Sequence, residues 1–219
     1  MAEDEEPGES APPRKTDVLF GPGTDWRTEA SVNYGPSEVA YQSGFRRAAF
    51  HLARHVCETG RGQDFLIYPI VYLYRHHIEL ALKSIIDIAC CLLERELTAR
   101  ELKTLGRHDL AALWQLARPL LNPVAALDDS PGLPADDLDD IDSYIRQLHA
   151  HDPDGQRFRY ATTAKRGPSL RPDLQHINIL DFANALERLA DYLDAIETWF
   201  DHVAEQAAEM RAEEASGLW

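Results

Sequence analysis

One segment constrains the fold of this chain more than any other. Between Pro69 and Glu96, the residues Val71, Tyr74, Ile78, Ala81, Ile85, Ile88 and Leu92 recur every three or four positions. That spacing lines one face of an α-helix. Proline suits the first turn of such a helix, where its missing N–H would have no partner anyway. A second line of residues, Arg75, Glu79, Lys83 and Asp87, runs four apart with alternating sign. On a solvated face such a ladder contributes about 0.2–0.5 kcal/mol per pair. The most apolar stretch, Ile85 to Leu93, is interrupted by Asp87 and is too short to span a bilayer. The spacing predicts a long amphipathic helix with one face inward, and no membrane association.

Further helices flank it. Ser37 can cap a helix to about Glu58, with Tyr41, Phe45, Ala48, Ala49, Leu52 and Val56 as its stripe and Gly60 and Gly62 closing it. Thr98 with Glu101 forms a capping box for a short helix ending near Gly106. Asp109 can cap the next, whose inward face is Leu110, Leu113, Trp114, Ala117 and Leu120, with Pro119 and Pro123 flanking its end. After a Pro- and Asp-rich loop over 122–137, a helix runs from about Asp137 to His149. Asp152-Pro153-Asp154-Gly155 reads as a turn. Arg157 to Tyr160 reads as extended, leaving a short hairpin with 172–177 open. A long helix then runs from about Asn178 to Ala212, losing its stripe in the last turns. The fold class is therefore all-α: a bundle of four to five main helices. It spans about 37–203, after an acidic disordered tail over 1–16 and an irregular lead-in over 17–36. Residues 204–219 form a fraying or projecting helix end.

Composition bounds the function. Net charge is -15, which excludes non-specific coating of nucleic acid. The charge is uneven: residues 128–142 hold seven aspartates and no base, whereas 146–171 hold Arg146, Arg157, Arg159, Lys165, Arg166 and Arg171 against Asp152 and Asp154. A local anion site fits that second segment. Cys57, Cys90 and Cys91 make no disulfide framework and read as reduced thiols in or near the core. The acidic, proline-rich start carries no secretory pattern, so the expected location is cytoplasmic. His149 and His151 lack a third ligand at sensible spacing, and the aspartates of 136–140 lack a calcium-loop pattern. No metal and no cofactor is expected.

The order of landmarks carries a resemblance. Tyr74-Arg75-His76-His77-Ile78-Glu79-Leu80-Ala81-Leu82-Lys83 lies in the long helix; Gly106-Arg107-His108-Asp109-Leu110 starts a later one; Phe158-Arg159-Tyr160 precedes the last. This series resembles the HEPN superfamily over roughly residues 37–203, with Ala161 standing where the family pattern often has proline. The resemblance implies a protein of prokaryotic defence or toxin–antitoxin type, acting as a homodimer or higher oligomer on RNA or a nucleotide, or on a protein partner encoded nearby. Many of these proteins are metal-independent endoribonucleases marked by an arginine and a histidine with four to six residues between them, paired across two protomers. Arg146 and His151 fit that pattern; Arg46 and His51 match its spacing but lie inside the first helix. In such a site histidine moves a proton near neutral pH and arginine grips phosphate. Arg157 and Arg159 would be phosphate contacts, and Glu79, Lys83, His108, Asp109 and Tyr160 a structural polar cluster, with Glu79 anchoring Arg159 or His108. The alternative is a non-catalytic module binding a nucleotide or a protein.

Overall fold

The computed structural model describes Lys15 and residues 19–20, 25–32 and 37–216. The tail expected over 1–16, Lys15 apart, and half of the lead-in lie outside the described residues, as does the side chain of Ser37. The chain divides into two units, Met1–Ser37 and Glu38–Trp219. In the first, Trp26–Thr28 form a single 3₁₀ turn, and the Asp25 carboxylate caps it by accepting the Arg27 N–H at 3.1 Å.

The second unit is an all-α bundle. Its helices are α1 (Ser37–Thr59), α2 (Gln63–Leu92), α3 (Ala99–Leu105), α4 (Leu110–Ala125), α5 (Ala135–His151) and α6 (Ile179–Ser216). Among the described residues the nearest thing to a sheet is one antiparallel bridge between Thr162 and Pro168, rather than a pairing of 157–160 with 172–177. No described helix is long and apolar enough to cross a membrane.

α2 is the central helix, packed against α6 on one side and α4 on another, with α5 lying on α4. It begins at Gln63, six residues before Pro69 and just after a Gly62 held in the left-handed region (φ 74°), so proline sits inside the helix instead of in its first turn. The carbonyl left without a helical donor there belongs to Phe65, whose side chain is 80% exposed, at the end of α2 that reaches solvent. Pro119 and Pro123 likewise lie within α4, which continues to Ala125.

The core is made by Ile70, Tyr74, Ile78, Leu82, Ile85 and Ile86 of α2, Leu113, Trp114 and Leu121 of α4, Ile141 and Ile145 of α5, and Leu189, Leu193 and Phe200 of α6. Each such side chain contributes about 1.5–3 kcal/mol by leaving water. α1 buries Gln42, Ala49, Ala53 and Val56, while Tyr41 and Ala48 of the expected stripe face solvent. Cys90 is buried, but Cys57 and Cys91 are exposed. Local caps form as the sequence predicts: Thr98 and Glu101 make the capping box of α3, Asp109 caps α4 through the Ala112 N–H, and Asn178 accepts the Asp181 N–H at α6.

α1 is fastened by charge more than by apolar bulk. The Arg46 guanidinium meets three carboxylates of α6: Glu187 and Asp194, each at 2.6 Å, and Asp191. Gln42 Nε2 donates to Glu197 at 2.7 Å. Between the helices lies His77, 1% exposed, whose Nδ1–H donates to the Gln42 carbonyl at 3.1 Å while Nε2 stands 3.7 Å from Asp194. Burial holds this imidazole below its ordinary 6.5, against the opposing pull of Asp194 and the Gln42 carbonyl. At this group the folded protein therefore binds fewer protons than the unfolded chain just below about pH 6.5. The stabilisation is full above that value and is lost as pH falls toward the lowered one. Thermal unfolding at pH 7.5 and 5.5 is expected to show a lower Tm at the acid pH, and His77→Asn to shrink the difference. An undiminished difference in the variant would remove His77 as its source.

Candidate functional site

The site forms where α2, the α3–α4 turn and the end of α5 meet. Arg75 and Glu79, one turn apart on α2, are 2% and 1% exposed. The solvated ladder expected from their spacing is thus wrong for its first two rungs, which point inward because later parts of the chain cover them. Arg75 Nη1 donates to Glu79 Oε2 at 3.1 Å. Its Nη2 donates to the His108 carbonyl, and its Nε donates to the Asp152 carbonyl at 3.3 Å and lies 3.3 Å from Asp152 Oδ2. Glu79 Oε1 accepts from Lys83 Nζ and from His108 Nδ1, both at 2.8 Å.

Two cations thus face two carboxylates, and the paired geometry offsets the desolvation that buried charge suffers. Burial alone would raise the Glu79 carboxyl; the hydrogen bonds from Lys83 and His108 outweigh it and hold the group below its usual value. Because an ionised carboxylate only accepts, His108 carries its proton on Nδ1 and leaves Nε2 as the ring's open nitrogen.

Asp152 caps the end of α5 and shapes the turn beyond it. Its Oδ1 accepts the backbone N–H groups of Gln156 at 2.9 Å and Arg157 at 3.0 Å, curling residues 153–157. Gly155 adopts φ 71°, and a Cβ there would lie 2.8 Å from Arg75 Nη1. The turn therefore rests its backbone directly on the buried guanidinium, which only glycine permits.

Two cavities flank this wall. The first is an open cleft of about 1060 Å³ whose lining includes Arg107, His108, Arg157, Tyr160 and Lys165. Arg157 is held there by the Ser169 carbonyl at 3.0 Å and by Asp154 at 3.6 Å. Arg107 and Lys165 make no side-chain ion pair or hydrogen bond among the described residues. Asp109 is engaged as the α4 cap and meets His149 Nδ1 at 3.2 Å. The second cavity, about 410 Å³, lies among α2, α5, α6 and the segment 174–177.

Glu79, Lys83 and His108 come together as expected, but Arg159 does not join them. It is exposed, with its guanidinium 5.2 Å from the Tyr72 ring centre and 5.3 Å from that of Tyr160, and Arg75 occupies the position beside Glu79. Tyr160 is half-exposed at the cleft. Arg146 is exposed and bonds Asp142 at 2.7 Å, whereas His151 faces the second cavity. Five residues place the two about 140° apart around one helix, so a single chain does not converge them. Arg46 is engaged by α6, and His51 is exposed. Sequence reasoning missed Asp152 and Gly155; the Asp-Pro-Asp-Gly turn pattern was their only signal. Among the described residues no three His, Cys, Asp or Glu side chains gather as a metal site.

Six α-helices, the central α2 among them, with a buried ion network beside an open cleft, define the class of protein: an all-α bundle with a polar groove. Compared with known proteins, the chain matches no family model, no curated protein and no solved structure.

Glu79→Gln removes the shared acceptor and leaves a buried guanidinium partly uncompensated. It is expected to cost about 3–5 kcal/mol in chemical denaturation, whereas Arg146→Ala, at an exposed pair, stays within about 0.5 kcal/mol. Gly155→Ala is expected to cost at least about 1–2 kcal/mol from the left-handed backbone alone. Equal stability of Glu79→Gln and wild type would contradict a structural role for the network.

Proposed function

We propose that this protein is a HEPN-like module of defence or toxin–antitoxin type that holds the phosphates of a nucleotide or a short single-stranded RNA in the larger cleft. The observation that carries this reading is the pair of cations, Arg107 and Lys165, that line the cleft and make no side-chain ion pair among the described residues, while the cleft's own Asp109 and Asp154 are engaged by His149 and Arg157. In a chain of net charge -15, unneutralised cations facing a concave surface mark a place where an anion is favoured. Arg157, aimed by Ser169, adds a planar donor suited to phosphate, and the Tyr160 ring offers a face for stacking. The open Nε2 of His108 can accept from the same ligand.

Binding of a labelled RNA oligonucleotide, followed by fluorescence anisotropy, tests it. Three phosphate contacts give a slope of about -2 in log K against log salt. Arg107→Ala with Lys165→Ala is expected to weaken binding at least tenfold and flatten the slope, and a mononucleotide to compete. Binding that is undetectable at low salt, or indifferent to the double variant, would overturn the reading.

RNA cleavage by Arg146 and His151 is a second reading, favoured by one observation: His151 Nδ1 is buried without a hydrogen-bond partner. It requires Arg146 of one protomer to leave Asp142 and meet His151 of another. RNA left intact by purified protein, with Arg146→Ala and His151→Ala behaving as wild type in cells, removes it.

A further inference from the structure

A surface groove adjoins the cleft at Tyr160. It encloses about 370 Å³, and Arg157, Tyr160 and Ser169 line both hollows, so the two run into one another. Among the described residues no carboxylate lines the groove, whose charged groups are Arg157 and Arg159. Its rings are open to water: Tyr68 of α2 is 45% exposed and Tyr160 is 50% exposed. The buried Phe158, its ring centre 6.5 Å from that of Tyr68, anchors the segment carrying Arg157, Arg159 and Tyr160 against α2. Arg159 has capacity to spare. Its guanidinium lies over the Tyr72 and Tyr160 rings, and its one hydrogen bond among the described residues goes to the Tyr160 hydroxyl at 3.4 Å. The rings hold this cation in place without neutralising its charge.

Exposed rings interleaved with unpaired guanidinium groups fit a ligand that carries flat faces and repeated negative charge together. A mononucleotide would fill the cleft and leave Tyr68 and Arg159 bare. A simple polyanion would use the cations and leave the rings idle. A duplex keeps its base faces hidden within its own stack. A single strand uses every group, because each base offers a face and the backbone brings a phosphate with each base. We infer that the groove is a second subsite for single-stranded nucleic acid: beyond the phosphates held in the cleft, the next phosphate lies on Arg159 and its base stacks on Tyr68. The inference rests on the phosphate-binding reading of the cleft and extends it from one nucleotide to a strand. Recognition by stacking tolerates any base, so the strand is bound with little regard to sequence.

Fluorescence anisotropy of the full chain tests this with a labelled adenosine tetranucleotide, an abasic strand of equal charge, and adenosine monophosphate as competitor. The tetranucleotide is expected to bind at least about fivefold more tightly than the abasic strand, through stacking on exposed rings. Tyr68→Ala is expected to weaken the tetranucleotide at least about fivefold and to leave the abasic strand and the monophosphate within about twofold. Retained monophosphate binding shows that the variant is folded, and Tyr68→Phe, which keeps the ring, restores wild-type affinity. Arg159→Gln is expected to weaken both strands and spare the monophosphate. The tighter of the ribo and deoxy tetranucleotides names the source of the strand. Equal affinity for the adenosine and abasic strands, wild-type binding by Tyr68→Ala, or no binding of either strand would overturn the inference. If Arg107→Ala with Lys165→Ala binds every probe as wild type does, the cleft reading fails; if that variant is impaired and Tyr68→Ala is not, this inference alone fails.

Discussion

The buried carboxylate of Glu79 is the constraint on which the rest of the structure turns. It collects Arg75 and Lys83 from its own helix and His108 from a turn 29 residues further on. Arg75, fixed by that pairing, then takes the carbonyls of His108 and Asp152. Two segments distant in sequence, the turn at His108 and the end of α5 at Asp152, are thereby tied to one helix face by hydrogen bonds. Removing either charge would leave the other in a medium that solvates it poorly. That is why the network orders the cleft: the turn carrying Arg107 and the loop carrying Arg157 are both positioned by what Arg75 holds.

A second polar system, on the opposite side of α2, does different work. Arg46, Gln42 and His77 join α1 to α2 and α6 through carboxylates of α6. Here several groups are partly exposed, so the ion pairs supply orientation more than stability. Small buried side chains, Ala49 and Ala53, let α1 approach closely enough for the pairs to form. The bundle is thus apolar through its middle and clamped by charge on two sides.

Much of this was legible in the sequence because it is local. The Thr98/Glu101 box, the Asp109 cap and the Asn178 cap are contacts within a few residues, and each forms where the sequence places it. The all-α class came from spacing alone. The failures share one cause, that a sequence does not say what covers a helix face. Arg75 and Glu79 read as solvated because alternating charges four apart usually are; Asp152, 77 positions after Arg75, is what encloses them. Of the two partners expected for Glu79, His108 bonds it and Arg159 does not, because Arg75 and Lys83 of α2 already take the remaining carboxylate positions. Pro69 and Pro119 read as helix boundaries, but tertiary packing carries both helices through them. The smaller cavity had no signature, since its walls come from three helices and a loop.

One property of α2 has a dynamic outcome. Its residues from Ile70 to Cys90 are buried on nearly every side, and both charge clamps attach to it. Its amide protons can reach solvent only when the bundle comes apart as a whole. Hydrogen exchange along this helix should therefore report the global unfolding free energy, whereas α6 beyond Val203, the last buried side chain among its described residues, should exchange through local opening.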